Sequence, residues 1–110
     1  MVIKNIHLLS GVSGWGYPFG AEGSTTMIVR LRYEDGTQEE HKLLNGVHFA
    51  DYIRRVEVPQ SKFAFSLRNQ QLRYLSVQPA KRKPVLSIDL IKGDDASAPM
   101  VMAMTAEQFE

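Results

Sequence analysis

The sequence predicts an all-β protein, an antiparallel two-sheet β-sandwich of the jelly-roll kind with about eight strands and no long helix. Three observations predict it. Short runs of alternating apolar and polar side chains recur along the chain, at the period that a pleated strand imposes. Turn residues separate those runs at intervals of about eight to twelve positions. Helical spacing is never sustained beyond about one turn.

Taken in order, residues 2–9 alternate Val2, Lys4, Ile6 and Leu8 against Ile3, Asn5, His7 and Leu9, and predict the first strand. Residues 10–24 carry Gly11, Gly14, Gly16, Gly20 and Gly23 with Pro18, which predicts a long irregular loop holding Trp15, Tyr17 and Phe19. Residues 25–33 set Met27, Val29, Leu31 and Tyr33 on one face and Ile28, Arg30 and Arg32 on the other. Asp35-Gly36 then predicts a hairpin, because glycine supplies the positive φ of the turn without strain. Residues 38–44 pair back as the third strand, and Asn45-Gly46 ends it.

Residues 47–55 are ambiguous, since Phe49, Tyr52, Ile53 and Val56 have helical spacing. They are read as a short turn over 48–52 and a strand over 53–58, closed by Pro59. Residues 63–67 make another short strand. The clearest strand of all is 72–77, where Leu72, Tyr74 and Ser76 alternate with Arg73, Leu75 and Val77; it reads as a central strand introduced by the polar turn 68–71. Residues 85–91 place Leu86, Ile88 and Leu90 inward and Ser87 and Asp89 outward. Residues 100–107 alternate Met100, Met102 and Met104 against Val101, Ala103 and Thr105, with the methionines as flexible core filler.

With 110 residues the chain has the size of one domain around one core, and it reads as a single module excised from a larger protein. Thirteen basic and twelve acidic residues leave a net charge of +1. That balance gives no long-range pull toward phosphate backbones or anionic lipid, so neither nucleic acid nor a membrane surface is an expected partner. The basic trio Lys81, Arg82 and Lys83 between Pro79 and Pro84 reads as a solvated loop. Absence of cysteine excludes disulfides, thiolate catalysis and cysteine-based zinc sites. No apolar run approaches the roughly 20 residues that span a bilayer.

Signals for catalysis are missing. His7, His41 and His48 lack the close spacing of metal-site histidines, and Gly11-Val12-Ser13-Gly14 falls short of a nucleophile elbow. Gly14-Trp15-Gly16 is followed by no βαβ unit, which argues against a nucleotide fold. Asp51 and Glu107 lack a paired carboxylate, so no enzyme activity and no cofactor are expected. A structural calcium ion has one conceivable place, at Asp94-Asp95 near Glu107, where hard oxygens gather.

Loop placement says more. Antiparallel strands bring every second loop to the same end of a sandwich, which gathers residues 10–24, 45–52, 68–71 and 92–99. Sugars offer apolar C–H faces and rings of hydroxyls, so they need an aromatic surface beside amide and charged groups. The expected ligand-binding set is Trp15, Tyr17, His48, Asp51, Arg68, Asn69 and Gln70. Against it stands a structural alternative in which Trp15 and Phe19 fold inward as a plug, and Arg68 and Asp51 only close turns.

Several segments also look familiar: Tyr33-Glu34-Asp35-Gly36, Asn45-Gly46-Val47-His48-Phe49-Ala50-Asp51-Tyr52, Leu72-Arg73-Tyr74-Leu75-Ser76-Val77, Ile88-Asp89-Leu90, and the run from Ala98-Pro99-Met100 to Glu107. From Tyr33 onward the chain resembles the galactose-binding-like jelly-roll domains appended to large exported bacterial proteins, including glycoside hydrolases and multidomain haem-binding or dehydrogenase-type proteins. Such domains are accessory and usually non-catalytic. The resemblance implies a carbohydrate-binding module in the extracellular or periplasmic space, or else a structural domain whose only partners are neighbouring domains of its parent.

Overall fold

A computed structural model describes residues 2–13, 22–49, 57–67, 70–95 and 97–109. Among these the strands are, in chain order, β1 (Ile3–Ser13), β2 (Thr25–Tyr33), β3 (Gln38–Leu44), β4 (Lys62–Leu67), β5 (Gln70–Val77), β6 (Val85–Lys92) and β7 (Ala98–Gln108). They form a four-stranded sheet in the order β4-β5-β1-β7 and a three-stranded sheet in the order β3-β2-β6. Every strand pairing is antiparallel. The fold is the expected two-sheet β-sandwich, with β5 interior to its sheet. Most of the strand expected over 53–58 lies outside the described residues, and Glu57 and Val58 at its end are not in a strand.

The alternation of β2 builds the core. Met27, Val29, Leu31 and Tyr33 are all buried, and they join Ile6, Leu8, Leu75 and Val77 of the larger sheet in one apolar cluster. Burying an apolar side chain of this size stabilises a fold by about 1.5–3 kcal/mol. The Asp-Gly hairpin forms as expected: the Gly36 N–H donates to Tyr33 O at 3.0 Å and the Tyr33 N–H to Thr37 O at 2.9 Å, with Gly36 at a φ of 89°. Lys81 Nζ donates to Thr37 Oγ1 at 3.1 Å and Lys83 Nζ to Asp35 at 3.2 Å, so the basic loop folds over this hairpin.

Two expectations need correction. First, β1 continues through Ser13, so residues 10–13 belong to a strand rather than to the long loop. Pairing on both sides holds Ser10 there, opposite Arg73 of β5 and Val101 of β7. A bulge between Ile3 and Asn5 also breaks the simple alternation and puts Ile3, Ile6 and Leu8 on the buried side together.

Second, Leu86 and Leu90, expected inward, are 70% and 40% exposed, and Met102 and Met104, expected as core filler, are 53% and 43% exposed. The cause is position. β6 and β7 are outer strands, and a groove between them is lined by Leu90, Pro99 and Val101. Bulges add to this. Leu86 falls between the pairs Arg32–Ser87 and Tyr33–Val85, and Met102 between Ser10–Val101 and Leu9–Ala103, so each drops out of the alternation.

Candidate functional site

Strand direction decides which loops meet. In the larger sheet Ser13 stands opposite Ala98, and the Leu67–Gln70 pair that joins β4 to β5 lies toward the same end. In the smaller sheet Thr25 stands opposite Leu44. The Gly93 and Asp95 N–H groups donate to Thr26 O and Thr25 O at 2.8 and 3.4 Å, which ties this end to the chain entering β7. Asn45 N–H donates to Ser24 O at 2.8 Å and Gly23 N–H to Asn45 O at 2.7 Å. Residues 22–24, 45–49 and 93–95 therefore leave the sandwich from neighbouring points.

Of the expected ligand-binding residues, Trp15, Tyr17, Asp51, Arg68 and Asn69 lie outside the described residues, as does Phe19. Gln70 opens β5. His48 sits in the turn after β3, where its Nδ1 accepts the Leu44 N–H at 3.0 Å. That bond leaves Nε2 to carry the proton of the neutral ring, and burial pushes the imidazole pKa down. Its surroundings differ from the expected ones. With His41, Leu43 and Ser76 to Gln78 it lines a depression of about 320 Å³ on the flank, next to the far end of β5 rather than beside Gln70.

The interior changes character toward the loop end. Along β1, buried Ile3, Ile6 and Leu8 give way to Ser10; along β5, Val77 and Leu75 give way to Arg73 and Gln71; along β2, Val29 and Met27 give way to Thr26. Arg73 is 1% exposed. Its guanidinium donates to Ser61 Oγ at 2.7 Å, Ser61 O at 2.8 Å, Gln71 Oε1 at 3.2 Å and Glu57 Oε2 at 3.4 Å. Segment 57–61 thus closes over this part of the larger sheet. Ser10 Oγ, wholly buried, has no hydrogen-bond partner among the described residues. The signal for Arg73 was its place on the face of Leu75 and Val77; its partners had none.

Two further polar clusters surround the core. Asp95 accepts from Ser24 and Thr26 hydroxyls at 2.8 Å each, from the Ser97 N–H and Lys92 Nζ at 3.0 Å each, and from Ser97 Oγ at 2.5 Å. Burial alone would raise its pKa, but these donors outweigh burial and hold the carboxyl well below the usual range. On the outer face of the larger sheet, His7 Nδ1 meets Tyr74 Oη at 2.6 Å and His7 Nε2 meets Glu107 Oε1 at 3.0 Å. The tyrosine O–H donating to Nδ1, with Nε2–H donating to the carboxylate, satisfies both bonds. Sheet register alone brings these residues together, since 67 and 100 positions separate them.

Asp95 and Glu107, the carboxylates considered for calcium, stand near opposite ends of β7, each engaged by protein donors. Among the described residues no group of three or more His, Cys, Asp or Glu side chains is arranged to hold a metal ion. No family model, curated protein or solved structure matches the chain. Fold and site together define the class as a two-sheet antiparallel β-sandwich with a polar, loop-bearing end.

Proposed function

We propose that the chain is a non-catalytic module that binds carbohydrate at the loop end of the sandwich, like some of the galactose-binding-like domains it resembles in exported bacterial proteins. One observation carries this: toward that end the inner-face positions of β1, β5 and β2 turn from apolar to polar, at Ser10, at Arg73 and Gln71, and at Thr26. Buried polar groups cost free energy unless hydrogen-bonded, and at this end Ser10 Oγ has no partner among the described residues. Trp15 and Tyr17 supply stacking faces, while Asp51, Arg68, Asn69 and Gln70 bond the hydroxyls. His48, on the flank beside the far end of β5, stands apart from Gln70.

Retention on immobilised polysaccharides and glycan arrays tests this. The wild-type chain is expected to be retained by at least one glycan, and Trp15→Ala to lose affinity about tenfold or more with its thermal unfolding unchanged. Equal retention of both proteins removes Trp15 from the site, and no retention of the wild type overturns the proposal. A second function would then stand, a structural or protein-interaction domain that packs against neighbouring domains. Its support is exposed Leu86 and the apolar groove of about 400 Å³ beside Leu90.

A further inference from the structure

We infer that β7, which has no strand on its outer side among the described residues, is an open pairing edge and that its partner is β7 of a second copy of this chain. The inference does not depend on carbohydrate binding. The outer strands of the two sheets are β4, β7, β3 and β6, and three of these carry the features that keep free edges from pairing. β3 is lined with Glu39, Glu40, His41 and Lys42. β4 has only 6 residues and begins at Lys62. β6 carries Asp89 and Lys92 and is bent by its bulge at Leu86.

β7 has a bulge too, at Met102, and Pro99 near its start, but it differs in length and charge. It has 11 residues and no charged side chain from Ala98 to Ala106, and Glu107 is held toward β1 by His7 and Asn5. The bulge at Met102 divides it, but from Ala103 to Gln108 no further residue is skipped on β7. Met104 stands opposite buried Leu8, on the inner face, yet is 43% exposed on this outer strand.

An uncharged strand meets its own copy without like-charge repulsion, and a two-fold interface is self-complementary. An antiparallel pair centred on Thr105 sets Met104 opposite the partner's Ala106, both on the inner face. It sets Glu107 opposite the partner's Ala103, so no like charges face each other. The two larger sheets become one continuous sheet.

Light scattering and sedimentation equilibrium across the micromolar range test the inference. Wild type is expected at twice the chain's mass. Thr105→Lys, which places two ammonium groups at the two-fold, and Met104→Lys are each expected to weaken dimerisation at least tenfold, while Leu86→Lys on β6 leaves it intact. Hydrogen exchange of wild type should show protection of residues 103–108 rising with concentration, which tests the edge even where a variant fails to fold. A monomeric wild type, a dimer indifferent to both β7 lysines, or one lost through Leu86→Lys overturns it.

Discussion

Arg73 occupies a position that strand alternation assigns to an apolar side chain, one place along the inner face from Leu75. It is tolerable there because Ser61, Gln71 and Glu57 receive its N–H groups; a buried guanidinium without acceptors would cost several kcal/mol. Arg73→Ala removes those donors and opens a cavity, and is expected to lower stability by about 3 kcal/mol in urea titration. Arg73→Met, which keeps most of the volume, should lose clearly less; equal losses would mean that the hydrogen bonds alone, and not packing, set the value. The face of Arg73 was legible from its neighbours, but Ser61, which bonds it from 12 positions away, was not. For His48 the turn was legible and the surroundings were not, because the flank exists only once β3 lies against the end of β5.

At the scale of elements, β2 and β3 follow the sequence because a hairpin's register is set locally by its turn. The crossing from β6 to β7 has no such local determinant. It is fastened by Asp95 and by Gly93, where an added Cβ would lie 2.1 Å from Thr25 O and 2.6 Å from its carbonyl carbon. Gly93 is needed for close approach of two backbones and not for a special φ. Gly93→Ala is therefore expected to force the crossing away from β2 and to cost about 1–3 kcal/mol, read as a lower Tm; an unchanged Tm would show that the crossing can shift freely. The exposed Leu86, Leu90, Met102 and Met104 have a related origin. Alternation assigns a face, but whether another sheet covers it depends on strand order, and bulges displace single residues in ways no periodic pattern announces.

At the scale of the whole molecule, charge sets the response to acid. Burial lowers the pKa of His48, so between its folded value and about 6.5 the unfolded chain binds more protons, and stability falls as pH drops through that window. Burial would raise the pKa of Glu39, yet the Tyr33 hydroxyl at 2.6 Å, the Ala80 N–H at 2.9 Å and His41 outweigh burial and lower it. Burial and the same carboxylate push Tyr33 up to about 12. For Glu39 and Asp95 the folded pKa lies below the unfolded value, so their contribution is complete above about pH 4 and is lost as pH falls below it. Thermal unfolding against pH should show two declines, one beginning near pH 6.5 and absent in His48→Gln, the other below about pH 4 and reduced in Asp95→Asn. A single decline common to all three proteins would remove these groups as its cause. By itself the sequence determined the sandwich class, β2, β3 and the hairpin between them, and the core stripe of Met27, Val29, Leu31 and Tyr33, because period and turn chemistry act over a few neighbouring residues. Only the tertiary structure decided the seating of Arg73, the union of His7, Tyr74 and Glu107, and the open edge at β7, because each depends on which strand lies beside which, and that is settled by contacts between distant parts of the chain.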